Sequence, residues 1–342
     1  WRTGEFGIPF AEWNDRFRDC TRKFWLTDVD RMRGGEYGEM TMQEMATRLC
    51  GSSDLFATDP GRGSTASVNY VACHDGFTTA DLTMYKTKHN EANGENNRDG
   101  TNDNHSVNFG HEGPSGDQII VQQRQRATMN LLGTLLLSLG TPMLLAGDEF
   151  GNSQNGNNNA YTQDNDTTWL DWDWLYSTEQ TPELKQFNLT SRLITLRKSR
   201  DLYNHEDFFT RLSEIGLLKK SDRVHWYLPN GQMPNDADWT NPSVRSFAMQ
   251  LLSPDEPSLL ILINGSDESR VSSAERHRMG DGLVLIGDCR RISGIGNVHR
   301  TGVGIRRRIG KQARGQAPQP SAPHQHDVLA NERRCGQSAI RR

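Results

Sequence analysis

Apolar residues recur along the first 265 positions with spacings that switch between helical and extended patterns. The segment EWNDRFRDCTRKFW (12–25) spaces its Trp, Phe and Cys residues three or four apart, which predicts an amphipathic helix with an inward aromatic stripe. Residues 42–49 predict a second, shorter helix, and residues 118–139 predict a long third one that ends at Gly-Thr-Pro. The pattern therefore predicts helices that each bury one face.

Two apolar runs frame the long third helix. Val68 to Cys73 is rich in strand-forming residues, and Met143 to Ala146 is continuously apolar, as is typical of a strand covered on both faces. The order strand, loop, helix, strand describes a right-handed βαβ crossover and predicts an α/β fold.

Three further strands are predicted later in the chain. Asp222 to Leu228, Val244 to Leu252 and Leu259 to Ile263 alternate or run apolar, and turn-forming residues separate them. This part is predicted to be an antiparallel β structure.

Both strands of the βαβ unit end in acidic residues. His74 and Asp75 follow the first strand, and Asp148 and Glu149 follow the second. Because loops at the carboxyl ends of parallel strands meet at one edge of the sheet, functional side chains are expected there. Asp148 and Glu149 have an alternative role, since a carboxylate at this place can also cap a helix or pair with an arginine.

The loops that follow these acidic residues are rich in amides. Residues 89–106 and 152–166 carry many Asn and Gln side chains, each of which offers a donor and an acceptor without charge. Such loops suit a neutral, hydroxyl-rich ligand, which favours a sugar over a phosphate. Trp169, Trp172 and Trp174 could stack on sugar rings or belong to the core, and the sequence leaves both readings open.

Composition divides the chain into two parts. The net charge of the whole chain is −4. Residues 269–342 hold fourteen Arg and one Lys against five acids, which gives this segment a net charge of +10. The segment contains none of the 27 aromatic residues. Apart from the short stretch Leu283 to Ile286, a segment of this kind buries too little apolar surface to offset its chain entropy. It is therefore predicted to be disordered, or to come from a shifted reading frame or an unrelated fusion.

The chain carries no signal for a membrane or an oxidising compartment. The longest apolar run, Leu131 to Leu139, is too short to span a bilayer, so a cytoplasmic location is expected. The five cysteines are scattered and form no C-x-x-C, which predicts reduced thiols and no zinc site.

Four segments together resemble the glycogen debranching enzymes and bacterial isoamylases of the α-amylase clan. They are FAEWNDRFRDCTRKFW, VNYVACHDGFT, KHNEANGENNRDGTNDNHS and TPMLLAGDEFGNSQNGNNNAYTQDN, and the resemblance extends over about residues 4–265. It implies a glycoside hydrolase that cleaves α-1,6 branch linkages of glycogen or amylopectin with retention of configuration. Its partner would be a branched α-glucan, and it would need no cofactor and no metal.

The resemblance also implies a fold. It predicts a partial (β/α)8 TIM barrel, about strands 6 to 8, in residues 1–205, with Val68 to Cys73 as strand 7 and Met143 to Ala146 as strand 8. Residues 206–268 would begin an incomplete antiparallel C-terminal β-domain, and residues 269–342 would be the basic tail.

The resemblance gives residues their roles. Asp75 would be the carboxylate that stabilises the transition state, with His74 binding substrate beside it, and Asp148 and Asn152 are predicted as further substrate-binding residues. The family's nucleophile and acid/base would lie upstream of Trp1, so the chain alone is predicted to be an inactive fragment.

Less specific readings remain open at this point. DGTNDN is similar to a calcium loop but lacks its glycine and terminal glutamate spacing. The run Arg306 to Arg308 could bind nucleic acid, although no aromatic residue accompanies it, so a nucleic-acid partner is not expected. The alternative to the enzyme is a non-catalytic chain, either a glucan-binding remnant or a basic-tailed nucleic-acid binder.

Overall fold

The structure is a computed structural model that describes residues 2–58, 61–208, 224–252 and 257–266 in full, and the backbone of residues 282–287 and 303–307. Residues Trp1–Arg308 form one compact unit. Most of the basic tail lies outside the described residues. The predicted domain boundaries at 205 and 268 stay a prediction.

A three-stranded parallel sheet forms the first layer. Its strands are β1 (Glu12–Asn14), β2 (Ser67–Asn69) and β3 (Thr141–Pro142), in the order β1-β2-β3. In this register Trp13 lies opposite Val68, and Val68 lies opposite Thr141.

The two predicted strands of the βαβ unit are displaced toward earlier residues. The strand predicted from Val68 to Cys73 ends at Asn69, because the Val71 carbonyl accepts a hydrogen bond from the Arg22 side chain instead of from a neighbouring strand. The strand predicted from Met143 to Ala146 is wrong in its bounds. The Met143 N–H still donates to the Asn69 carbonyl at 2.8 Å, but the strand pairing itself covers only Thr141–Pro142.

The helix predicted from Glu12 is also wrong in its first turn. Residues 12–14 form β1, and α1 begins at Asp15, because the Asn14 side chain accepts the Phe17 N–H at 2.9 Å and caps the helix. A π-helical turn follows α1, and α2 continues from it. The bounds are α1 (Asp15–Arg22), the π turn (Lys23–Thr27) and α2 (Asp28–Arg33).

Six further helices lie in the described residues. They are α3 (Met42–Leu49), α4 (Ser53–Phe56), α5 (Asp81–Met84), α6 (Gln118–Leu137), α7 (Pro182–Lys198) and α8 (Asp236–Thr240). The second predicted helix is confirmed as α3, which carries a Thr41–Glu44 capping box. The predicted long helix is confirmed as α6, whose second half is fully buried and packs beside α7.

The second sheet contains five strands in the order β4-β5-β6-β7-β8. Its strands are β4 (Val224–Tyr227), β5 (Ser246–Leu251), β6 (Leu259–Asn264), β7 (Gly282–Gly287) and β8 (Val303–Arg307). The predicted antiparallel arrangement holds for β4 to β6. β7 lies beyond the three predicted strands and pairs with β6 in parallel. The prediction of a disordered tail excepted Leu283 to Ile286, which lie in β7, while β8 lies within that tail. For the other residues of the tail the disorder stays a prediction. The identification of this sheet as the family's C-terminal domain stays a prediction.

One hydrophobic core joins the helices to the second sheet, and a buried ion pair fixes their contact. Phe247 and Met249 of β5 pack in the same core as Phe24. The Arg245 guanidinium lies 3.9 Å from the Phe24 ring centroid, donates to the Phe24 carbonyl at 2.6 Å and pairs with buried Asp28 at 2.8 Å. Loss of either charge would leave its partner buried without an opposite charge beside it.

No helix in the described part of the chain is both long and apolar enough to traverse a bilayer.

Candidate functional site

The turn after β2 presents the two residues on which the functional prediction depends. His74 Nε2 lies 3.4 Å from Asp75 Oδ2, and these side chains are 69% and 77% exposed. The turn closes at Gly76, whose φ of +115° favours glycine and whose N–H donates to the Asn158 carbonyl at 2.9 Å. The structure therefore holds the backbone of the turn while both side chains stay accessible to a ligand.

A buried arginine supports the chain that leads into this turn. Arg22 of α1 donates from Nε to the Val71 carbonyl at 2.7 Å and from Nη1 to the Asn104 carbonyl at 3.2 Å. Burial lowers the pKa of Arg22 to about 10, and the neighbouring Arg18 charge acts in the same direction. The guanidinium thus links α1, the end of β2 and the first Asn-rich loop.

Hydrogen bonds connect the two Asn-rich loops to each other. Asn90 makes two hydrogen bonds to Asn158, since Asn90 Nδ2 donates to Asn158 Oδ1 at 2.9 Å and Asn90 Oδ1 accepts the Asn158 backbone N–H at 3.0 Å. Asn158 Nδ2 also donates to the Thr101 carbonyl and to Asn104 Oδ1, at 2.8 and 2.9 Å. The amides that we expected to face a sugar are, at these buried positions, used to hold the loops together.

The calcium-like sequence DGTNDN lies beside an ammonium group. Lys88 Nζ donates to the carbonyls of Arg98, Asp99 and Gly100 at 3.3, 2.7 and 3.1 Å. Asp99 Oδ2 accepts the amides of Asn93 and Asn159 at 2.7 and 2.9 Å. In the described residues there is no group of three His, Cys, Asp or Glu side chains that could hold a metal ion.

Asp148 lies in the interior, unlike Asp75. It is 1% exposed, and its carboxylate accepts the Thr79 N–H at 2.9 Å while its carbonyl accepts Gln186 Nε2 of α7 at 2.6 Å. Burial raises the pKa of Asp148 to about 7. A glucan has no direct access to this carboxylate in the described arrangement, so its contacts support the structural alternative rather than substrate binding.

Asn152 is half-buried next to Asp148 in the loop after β3. Its N–H donates to the Gly147 carbonyl at 3.0 Å, and a Cβ built on Gly147 would lie 2.7 Å from the Asn152 Cβ. This close packing fixes its backbone. The substrate-binding role of its side chain stays a prediction.

The tryptophans after the second Asn-rich loop divide between core and surface. Trp174 is buried between Phe150 and Phe187, with ring centroids 5.1 and 5.4 Å away. Trp169 and Trp172 are exposed, and Trp169 Nε1 donates to Asp164 Oδ1 at 3.0 Å. Of the two roles that the sequence left open, Trp174 therefore has the one in the core.

Trp13 is a surface residue that the helical prediction placed in the core. It is 42% exposed on β1, and its ring centroid lies 5.6 Å from Tyr70 and 5.7 Å from His74. The signal that could have revealed it is the run Trp-Asn-Asp, because an Asn at a helix start is typical of an N-cap and leaves the preceding residue outside the helix.

Sequence comparison finds related proteins named glycogen debranching enzyme. The chain is 53% identical over 173 residues to the one from Enterobacter sp. (strain 638), and this match covers 51% of this chain and 25% of that protein. It is 42% identical over 239 residues to the one from Erwinia tasmaniensis, 70% of this chain and 32% of that protein. It is 43% identical over 270 residues to the one from Salmonella typhi, 78% of this chain and 36% of that protein. No family model matches the chain.

Comparison with solved structures finds pullulanases. A pullulanase from Bacillus acidopullulyticus matches with a TM-score of 0.52 at 14% identity, over 88% of this chain and 30% of that one. A pullulanase variant from Paenibacillus barengoltzii complexed with maltotriose matches with a TM-score of 0.52 at 18% identity, over 87% of this chain and 39% of that one. At these identities the match shows a shared, α-amylase-type fold and nothing more.

These findings agree with the resemblance seen in the sequence and do not favour the non-catalytic alternatives. The chain spans between a quarter and about a third of the length of the curated relatives reported above. The chain is thus homologous to the glycogen debranching enzymes over 25–36% of their length.

Proposed function

We propose that this chain is part of a glycoside hydrolase that cleaves α-1,6 branch linkages in glycogen or amylopectin. The observation that carries the proposal is the accessible His74–Asp75 pair at the end of a parallel strand, in a chain 42–53% identical to glycogen debranching enzymes. In a parallel α/β sheet, the carboxyl ends of strands are the usual place for catalytic side chains.

The finer fold belongs to the same proposal. We take β1, β2 and β3 as strands 6, 7 and 8 of a (β/α)8 barrel. In support, the three strands are parallel, they follow one another in space as in sequence, and helices lie between them along the chain. β1 and β3 each pair only with β2 among the described residues, so the sheet has two edges at which further barrel strands could add.

Asp75 would act as the carboxylate that stabilises the transition state. Cleavage with retention places a nucleophile and an acid/base about 5 Å apart around an oxocarbenium-like sugar. A third carboxylate next to that sugar accepts hydrogen bonds from its hydroxyl groups and stabilises the developing positive charge. His74, 3.4 Å from Asp75, would orient the carboxylate or share the same hydroxyls. The nucleophile and acid/base would come from the part of the relatives that this chain does not span.

The partner in this proposal is a branched α-glucan. The pullulanase complexed with maltotriose supports it through its shared fold, and the exposed site suits a neutral ligand. Asn152 stays in the proposal as a substrate-binding residue, while Asp148 does not, because it is buried. A cytoplasmic location and a reaction without cofactor complete the proposal.

A chimera tests the proposal directly. The aligned 270 residues of the Salmonella typhi relative are replaced by those of this chain, and reducing ends released from glycogen are measured. We expect activity in the chimera and none in this chain alone. An inactive but folded chimera would count against the enzyme. Turnover by the isolated chain that Asp75→Asn abolishes would show that the chain needs no other part.

A further inference from the structure

Trp13 is exposed although it lies in the middle of a paired strand. Its neighbours Glu12 and Asn14 point to the opposite face of the sheet and are buried, as the alternation of a strand requires. The indole therefore lies on the sheet face that the described helices leave open. A large aromatic surface left in water forgoes a substantial hydrophobic gain.

The exposed indole is held in one orientation. Its ring is tilted by 55° against Tyr70 and stands at 73° to His74, with centroids 5.6 and 5.7 Å apart. Tyr70 is fixed in turn by Arg18, whose Nη1 donates to the Tyr70 hydroxyl at 3.2 Å and whose guanidinium carbon lies 5.7 Å from the Tyr70 ring centroid. A rigid aromatic surface loses little conformational entropy when it binds a ligand.

His74 connects this surface to the proposed catalytic carboxylate. The same imidazole contacts the Trp13 ring on one side and lies 3.4 Å from Asp75 Oδ2 on the other. The apolar indole and the polar carboxylate thus lie on either side of one residue. A glucose ring has the matching chemistry, with C–H groups on its faces and hydroxyl groups around its rim.

We propose that Trp13 is a further substrate-binding residue, whose indole stacks against a glucose ring of the α-glucan next to Asp75. This inference rests on the proposed function and specifies how the site holds its substrate. Asp75 accepts hydrogen bonds from the hydroxyl groups of one sugar ring, and Trp13 fixes the plane of that ring or of the neighbouring one. The stacking supplies binding free energy and orients the ring without any charge.

The alternative is that Trp13 is a packing residue that another strand covers. Val68 and Thr141, its neighbours in register on the same sheet face, are half-buried and exposed, so a covering element would bury all three together. Such a cover would exclude a soluble sugar from the indole. The two readings therefore predict opposite results when maltotetraose is added.

The first experiment uses the chimera of the proposed function, in which any covering strand of the relative is present, with maltotetraose as the probe. Tryptophan side chains are oxidised with N-bromosuccinimide in the presence and absence of the sugar, and the modified positions are mapped by mass spectrometry. We expect maltotetraose to protect Trp13 but not Trp169, a more exposed indole bonded to Asp164. Oxidation of Trp13 that is unchanged by the sugar, or equal protection of both indoles, overturns the inference.

The second experiment measures maltotetraose affinity by isothermal titration calorimetry. In the chimera, we expect Trp13→Ala to weaken binding about tenfold, Trp13→Phe to stay within about threefold, and Trp169→Ala to bind like the unsubstituted chimera. If the unsubstituted chimera binds and its Trp13→Ala variant binds equally well, the inference is wrong and the proposed function stands. If the unsubstituted chimera does not bind at all, both fail. The oxidation experiment decides the question should Trp13→Ala not fold.

Discussion

The loops after β2 and β3 both begin with an acidic sequence, yet they place their carboxylates in opposite environments. Asp75 is largely exposed beside His74, whereas Asp148 is buried against Thr79 and α7. The difference arises from what packs on each loop. α7 supplies Gln186 to the backbone of Asp148, while the side chain of Asp75 projects from a turn in which the Gly76 N–H donates to the Asn158 carbonyl. Similar polarity in sequence thus corresponds to a ligand-accessible group in one loop and a structural group in the other.

The largest expected effect separates the two carboxylates by activity. In the active chimera, Asp75→Asn should lower kcat on glycogen by at least about a hundredfold, since it removes a charge that stabilises the transition state. Asp148→Asn should stay within about threefold, because its carboxylate does not reach the substrate. Reducing-end assays on both variants give the comparison, and equal losses would remove the distinction between the loops.

The next effect concerns the bonds that hold the accessible turn. Asn158→Ala removes three buried side-chain hydrogen bonds, to Asn90, Thr101 and Asn104, and should lower the free energy of unfolding by about 3 kcal/mol. Urea unfolding measures the loss. The matched control is Asn165→Ala, an exposed amide of the same loop, for which we expect less than about 0.5 kcal/mol. A small effect at Asn158 would mean that the loops do not depend on each other.

A smaller effect is expected in how the stability of the protein depends on pH, through the buried carboxylate of Asp148. The pKa of Asp148 is raised to about 7, so the folded protein keeps a proton that the unfolded chain releases near pH 4. The free energy of unfolding should therefore fall as the pH rises from about 4 to about 7. Above about pH 7, ionisation of Asp148 should lower it no further. Asp148→Asn should be more stable than the unaltered chain at pH 8, by roughly 2 kcal/mol, with no advantage at pH 4.

Denaturation midpoints measured at several pH values provide the check on Asp148. A pH profile of stability that stays unchanged in Asp148→Asn would mean that burial of this carboxylate does not set the pH dependence.

The smallest effect has the opposite sign and concerns Glu112, which follows the first Asn-rich loop along the chain. Glu112 accepts the N–H groups of Lys86 and Thr87 and bonds to Asn108 and His89, and these bonds lower its pKa to about 2, although partial burial opposes them. Its contribution should be present above about pH 4 and be lost as the pH falls toward 2. Glu112→Gln should remove this acid sensitivity at a cost of about 1 kcal/mol or less at pH 7, measured by thermal unfolding.

Local pattern was informative where it reflected local bonding. The helix at Met42–Leu49 was predicted with its bounds because its apolar spacing is local, and the Thr41–Glu44 capping box stabilises its start. The positions of β4, β5 and β6 were also close to those predicted, since each is a short apolar run. The β6–β7 pairing was not predictable, because the relative direction of two strands depends on where the chain between them returns.

The candidate site was predicted only in part. The turn at His74 and Asp75 could be found because strand formers end abruptly at an acidic pair. The role of the Asn-rich loops could not be read from composition, since an amide that bonds a sugar and one that bonds another amide have the same side chain. Trp13 was misplaced for a related reason, because a spacing of four residues to Phe17 is counted as helical even when the helix begins between them.

The sequence by itself determined the family resemblance, the apolar segments and the acidic residues at strand ends, because these depend on residue identity and short spacing. Only the tertiary structure decided which polar groups remain available for a ligand. Availability depends on what packs against a side chain from distant parts of the chain, such as α7 against Asp148, or the second Asn-rich loop against the first. Burial of a charged or polar group alters its free energy far more than its sequence neighbours do, and that term exists only once the chain has folded.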